Sequence, residues 1–272
     1  MTSLAKVFVG SFRTLKKCPK LFLPKVLIAF LYAFPIIAVA GITVDAFTSP
    51  NIELIYSSIF WIIFMLAVSF IDVFVNAMYS VMAGQFRKTG DVSFRAAAGT
   101  SWKRFIVVVP SVLVVEMGAF AISAALGSVI GIMIAFGSAE GTLIMGAVSL
   151  AAIFVMLVAF FLLYPVAALE NLGIIATLRR TLSLSRGNLK DVVIASAASM
   201  AISLLSFLLA FGFEFALRAG NAAGVIVLVL FILARIFTGV FAAYLYVLNP
   251  TFYLEYGLGN AGIARGKGKA LK

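Results

Sequence analysis

The 272-residue chain contains no histidine and a single cysteine, Cys18. Without histidine there is no imidazole to ligate a metal or haem and no commonest general base. One cysteine leaves no internal disulfide; Cys18, near the start of an apolar run, reads as an incidental thiol and not as an acylation site. No Ser/His/Asp set exists, and no glycine-rich loop is followed by a phosphate-binding lysine. Charge is scarce too, at 11% of residues, where soluble domains carry about a quarter. Acids are scarcer than bases, 10 against 21. These absences predict a protein that is not an enzyme and has no cofactor, metal site or catalytic residues.

What is present is apolar. Hydrophobic residues make up 64% and the mean hydropathy is +1.17, which describes an integral membrane protein. Six apolar runs lie at about 22–43, 54–82, 105–136, 142–169, 190–214 and 222–248, each long enough for the roughly 20 residues that a spanning helix needs. None alternates in short segments separated by turns, so helices, not barrel strands, satisfy the backbone in lipid. The basic residues Lys6, Arg13, Lys16, Lys17 and Lys20 are spread ahead of the first run, which reads as a retained span and not as a cleaved signal. Glycines in and after the third run, Gly118, Gly127, Gly131, Gly137 and Gly141, are expected to permit close helix packing.

The basic residues fall on one side. Of the 21, all but Arg218 and Arg235 flank the N-terminal stretch (Lys6 to Lys25), the connections after spans two and four, and the tail, whereas the other connections carry Asp45, Glu53 and Glu140. Basic flanks of short loops stay in the cytoplasm, so the expected location is the cell membrane, multi-pass, with both termini cytoplasmic. The same argument disposes of nucleic acid as partner: a pI near 10.0 here comes from residues spaced as membrane flanks, with no recognition fold between them.

A short pattern occurs three times. Ser11-Phe12-Arg13, Ser93-Phe94-Arg95 and Thr177-Leu178-Arg179 are separated by 82 and 84 residues, a period that fits one interfacial helix and two spans. The predicted fold is therefore an all-α transmembrane domain over 1–272, built as three parallel repeats at about 1–86, 87–171 and 172–258, with a basic tail at 259–272. In the first repeat Leu4, Phe8, Phe12 and Leu15 share one helical face and Lys6, Arg13 and Lys17 another. In the third, Ile175, Leu178, Leu182 and Leu189 oppose Arg179, Arg180 and Arg186. The second has Asp91 as its expected N-cap, Phe94 and Trp102 as apolar contacts, and Arg95, Lys103 and Arg104 as its charge. Arg13, Lys16, Lys17, Arg95, Lys103, Arg104, Arg179, Arg180 and Arg186 thus form a candidate belt for anionic lipid headgroups.

A second echo lies at the hairpin exits. Tyr164-Pro165 leads to Glu170 and Asn249-Pro250 leads to Glu255, the two glutamates 85 residues apart, with Gln85 at the corresponding place in the first repeat. The glutamates are expected to pair with neighbouring basic loops or to cap the following surface helix. The stretch from Glu170 through Gly173 and Arg179-Arg180 to Gly187-Asn188, together with the N-terminal Phe12-Arg13-Thr14-Leu15-Lys16-Lys17-Cys18-Pro19, resembles polytopic prokaryotic proteins similar to the membrane domain of glycerophosphoryl diester phosphodiesterases. The resemblance implies an architecture over nearly the whole chain. The family's phosphodiester chemistry belongs to a separate barrel domain, which no stretch of this sequence carries.

Three charges interrupt the spans: Asp72, Glu116 and Arg235. Counted at about 1.5 Å per residue from the basic side they lie at one level, so Arg235 is expected to bridge to at least one of the acids, with Asn76 and Tyr244 or Tyr246 adding hydrogen bonds. Glu214 and Arg218, at i and i+4, read as a surface pair. Two functions compete. One is a non-enzymatic protein that engages lipid, or a membrane-protein partner or second copy, through its basic belt. The other is a small transporter or channel with the three intramembrane charges along its path.

Overall fold

The computed structural model describes the backbone of residues 4–40, 52–135, 139–219 and 224–256, and side chains over 4–33, 60–134, 140–209 and 229–256. Asp45 and the tail 259–272 lie outside the described residues, as do Gly137 and the side chains of Glu53, Glu214 and Arg218. Every regular element within them is helical.

Helix α1 (Leu4–Lys17) stops at Cys18, because Pro19 cannot continue the hydrogen-bonded ladder, and a single 3-10 turn (Pro19–Phe22) redirects the chain into α2 (Leu23–Ala40). Helix α3 (Ile52–Thr89) ends at Gly90, whose φ of 74° lets its N–H bond Phe86 O at 2.8 Å, the left-handed stop that glycine favours. Helix α4 (Phe94–Ala135) runs without interruption, and α5 (Ala139–Phe160) returns. A two-residue turn then separates α5 from the short α6 (Leu163–Leu169). The remaining elements are α7 (Ile174–Gly187), α8 (Leu189–Ala219) and α9 (Gly224–Tyr256).

Five stretches are long and apolar enough to cross a membrane: Phe60–Thr89, Phe94–Ile134, Glu140–Leu169, Leu189–Leu209 and Val229–Tyr256. Their outward faces carry exposed Ile62, Met117, Phe120, Leu143 and Phe207, a surface that water would not tolerate at this extent and that marks a multi-pass membrane protein. The predicted first span falls on α2, which continues towards residues outside those described.

The stretch expected to hold the second surface helix takes another form. No separate interfacial helix precedes the third span, because nothing between Phe94 and Pro110 breaks the ladder: the basic stretch and the span form the one 42-residue helix α4. The residue at its start is also different. Asp91 does not cap it; Ser93 Oγ accepts Ala96 N–H at 3.4 Å, and the Asp91 carboxylate is held instead by Lys20 at 2.6 Å.

The break between α5 and α6 has a covalent cause. Pro165 has no N–H, and in a continuous helix its ring would crowd the carbonyl four residues back, that of Phe161. Asn249 of α9 donates its Nδ2 to that freed carbonyl at 3.2 Å.

The core lies towards the basic end of the bundle, where Leu15, Cys18, Leu21, Tyr79, Met82, Val108, Leu163 and Val247 are all buried. Cys18 is 5% exposed, and burial pushes its thiol pKa up, so the acylation site weighed from the sequence is not presented at the surface. Glycine placement follows expectation at Gly118, where a Cβ would touch Met156 of α5 at 3.7 Å, and departs from it elsewhere. A Cβ at Gly127 or Gly131 would meet nothing within 4 Å, whereas one at Gly239 would lie 2.5 Å from the Cα of Val26. Helices α2 and α9 therefore touch backbone to backbone at Gly239. Gly→Ala inside a helix ordinarily stabilises by up to about 1 kcal/mol. Gly239→Ala is expected to do the opposite, costing about 1–3 kcal/mol by overpacking, while Gly84→Ala, with nothing within 4 Å, should follow the ordinary sign. Thermal unfolding of the two variants in one detergent checks the contrast.

Candidate functional site

Two groups of polar side chains sit towards the basic end, one buried between helices and one at the helix ends. The buried group centres on Lys25. Because the 3-10 turn feeds α2 directly into the bundle, Lys25 on its first turn is 3% exposed and its Nζ lies 2.5 Å from Asp72 Oδ1 of α3. The ammonium also sits 3.7 Å above the ring of Tyr246 on α9, a cation–π contact strengthened by the lack of competing water. One turn along α3 from Asp72, Asn76 donates to Tyr164 Oη of α6 at 3.3 Å, and Tyr79 Oη donates to the carbonyl of Leu21. Tyr164 and Tyr246 meet edge to face with centroids 5.9 Å apart. Four helices are thereby tied at one level.

The expected charge cluster did not include the partner that Asp72 has here. Asp72 is paired, but with Lys25, a residue whose place beside the N-terminal basic stretch made it look like a loop flank. Arg235 is buried at 6% exposure, with its guanidinium carbon 5.0 Å from the ring centroid of Phe231. Glu116 lies on an exposed position of α4. The packing of α2 against α3 and α9 is what puts Lys25 between Asp72 and Tyr246. A signal was available, since Lys25 falls inside the apolar run 22–43, but a long lysine near a span end usually snorkels.

At the helix ends, two of the candidate headgroup ligands, Arg104 and Arg180, are engaged by protein. Arg104 of α4 is the clearest: its Nε reaches Ala167 O at 3.3 Å, Nη1 reaches Asn171 Oδ1 at 2.8 Å, and Nη2 reaches Leu172 O at 3.0 Å and also Glu170 O. A planar fork matched to four acceptors closes the exposed carbonyl end of α6, so Arg104 leaves the headgroup set. Arg180 pairs with Glu170 at 3.2 Å, and Tyr253 Oη donates to the same carboxylate oxygen at 2.7 Å. Glu255 pairs with Arg87 at 3.3 Å. Gln85, at the corresponding place, accepts Ser93 N–H at 3.2 Å. Glu170 does not cap the helix that follows it; α7 begins at Ile174, with Gly173 at its N-cap and no side-chain cap bond.

The other basic residues of the belt are exposed: Arg13, Lys16, Lys17, Arg95, Lys103, Arg179 and Arg186. Beside them, on the same helices, stand the exposed apolar side chains Phe12, Trp102, Ile106 and Ile175. The faces turned inwards on the two short amphipathic helices mix apolar with small polar residues, with Val7, Ser11 and Leu15 buried on α1 and Thr177, Thr181, Leu184 and Ser185 on α7. Arg13 and Lys17 border a crevice of about 290 Å³ between α1 and the ends of α3 and α9, with Arg87 and Glu255 opposite.

No family model, no curated protein and no solved structure matches the chain.

Two outcomes are expected at these sites. Lys25→Met should cost about 3–5 kcal/mol by stranding a buried carboxylate, and Lys25→Met with Asp72→Leu should recover most of it, because an apolar pair replaces the ion pair without an orphan; unfolding midpoints of parent, single and double variants decide this. At the exposed pair, the hydrogen bond from Lys20 holds the Asp91 carboxyl below the usual carboxylate range. A depressed folded value stabilises the fold above the unfolded value, near 4, and that increment is lost as pH falls through the folded value. An NMR titration of Asp91 should show the depression, and Lys20→Met should remove most of it, leaving the smaller share that the Val92 N–H supplies.

Proposed function

We propose that this is a six-span membrane protein, with both termini in the cytoplasm, that performs no catalysis and holds anionic lipid headgroups along its cytoplasmic face. The observation that carries the reading is the interleaving of exposed cations with exposed large apolar residues on α1, α7 and the start of α4. That pattern suits a boundary where rings and aliphatic chains enter the acyl region while guanidinium and ammonium groups meet phosphate. Each cation at such a surface contributes roughly 1 kcal/mol of attraction to an anionic leaflet.

The three-repeat arrangement belongs to the same proposal and extends the resemblance noted for the sequence. Leu15, Ala97 and Thr181 stand at the same spacing of 82 and 84 residues and are all buried, as are Ser101 and Ser185, 84 residues apart. The side taken as cytoplasmic is the one where the basic helix ends gather, and α2 supplies the sixth span. Transport is the weaker reading, because it needs Asp72, Glu116 and Arg235 along one path, and the enclosed pairing of Asp72 with Lys25 under Tyr246 favours a fixed helix order.

The test is lipid selection. Reconstituted into nanodiscs made from equal phosphatidylglycerol and phosphatidylcholine, the parent should enrich the anionic lipid in its bound shell, as read by native mass spectrometry. Arg13→Gln with Lys17→Gln should cut that enrichment several-fold while leaving the unfolding midpoint within about 0.5 kcal/mol of parent, as exposed substitutions do. Equal recovery of both lipids from the parent would overturn the reading.

A further inference from the structure

A second cavity lies between α5, α8 and α9, at the depth of the spans and away from the basic crevice. It holds about 340 Å³. One wall is hydrophobic, made by Leu157, Phe160 and Phe241; the facing wall carries Ser199, Ser203 and Ser206 on one side of α8. The 4 and 3 residue steps between these serines keep them on a single helical face. Such a face on a membrane helix is ordinarily a packing surface. Here it borders open space instead.

Two unsatisfied side-chain atoms of residues that line this cavity set its chemistry. Ser199 is 6% exposed, and its hydroxyl has no hydrogen-bond partner among the described residues. Asn249 spends its amide N–H on the Phe161 carbonyl, and its buried Oδ1 likewise has no partner among them. A buried polar atom left unsatisfied costs about as much as the desolvation it suffered, so both atoms favour an occupant that bonds them. Asn249 Oδ1 only accepts, which calls for a donor, whereas the Ser199 hydroxyl can donate or accept. No Lys, Arg, Asp or Glu lines the cavity, so nothing there would neutralise a phosphate or carboxylate.

We propose that this cavity binds an uncharged lipid bearing a free hydroxyl, its O–H donating to Asn249 Oδ1, its oxygen accepting from Ser199, and its hydrocarbon chain lying along Leu157, Phe160 and Phe241. The site is separate from the anionic belt in place and in chemistry. A hydroxyl with an apolar chain is what the lining satisfies; an ether satisfies half of it, and a hydrocarbon neither polar atom.

The test uses the full chain in detergent and three probes of equal chain length: oleyl alcohol, its methyl ether and octadecene. The alcohol should raise the unfolding midpoint and give one-to-one adducts in native mass spectrometry. The ether, which accepts but cannot donate, should bind about fivefold more weakly, as should the alcohol to Ser199→Ala, each having lost one hydrogen bond. Ser203→Trp, at an exposed position on the cavity lining, should block the alcohol without burying new bulk in the core. Arg13→Gln with Lys17→Gln should leave alcohol binding unchanged, which separates this site from the belt. Equal binding of alcohol and octadecene, or alcohol binding that survives Ser203→Trp, would overturn the proposal.

Discussion

The arrangement of helices depends on one demand: a lysine ammonium carried into the bundle by the first turn of α2 must find a counter-charge there. Asp72 supplies it at 2.5 Å, and the ring of Tyr246 covers it. An ion pair buried in this way adds little net stability, since both partners lose their hydration. Its effect is selective. Any packing that moved α2 by a turn along α3, or replaced α9 as its neighbour, would separate the charges or expose the ammonium to hydrocarbon, and would be disfavoured by far more than the pair itself contributes. The backbone contact at Gly239 acts in the same direction, because only a residue without a Cβ lets α9 approach Val26 so closely.

Towards the helix ends the governing need is hydrogen bonding. Chain breaks at Cys18, Gly90, Phe161 and Glu170 leave carbonyls and amides that lipid cannot satisfy, and side chains from distant parts of the sequence answer many of them. Tyr79 bonds Leu21 O, Gln85 bonds Ser93 N–H, Asn249 bonds Phe161 O, and Arg104 serves the end of α6. A basic residue at a membrane boundary can therefore be either a lipid ligand or an internal brace. Exposure separates them: Arg104 is a brace, while Arg13, Lys16, Lys17, Arg95, Lys103, Arg179 and Arg186 face outwards.

Helical class and membrane-spanning lengths were legible in the sequence because hydrophobic run length and the lack of two-residue alternation are local properties. Short amphipathic helices were legible for the same reason, and α1 and α7 lie over the stretches that their periodicity marks. The uninterrupted α4 was not, because a basic segment and the span behind it look alike whether the ladder bends or runs on; only a proline or glycine at the junction would have told, and none stands between Gly99 and Pro110. Partner choice was least legible. Asp72 could be recognised as needing a cation, but Arg235 and Lys25 are 163 and 47 residues from it, and only the packing of α2 decides between them. The serine face of α8 passed unnoticed, since serines among alanines and leucines look like small packing residues until a cavity is found beside them.

The seven-residue α6 has a further significance. It is cut from α5 by Pro165, and each of its ends is held by a side chain from a different span: Asn249 of α9 grips the carbonyl just before it, and Arg104 of α4 grips the carbonyls just after it. Hydrogen bonds weaken steeply over a few tenths of an ångström, so α6 cannot follow α4 and α9 if they slide apart. It acts as a strut in compression and tension between two long rods, converting a relative displacement of those rods into rupture at one end or the other, and so ties α4 to α9.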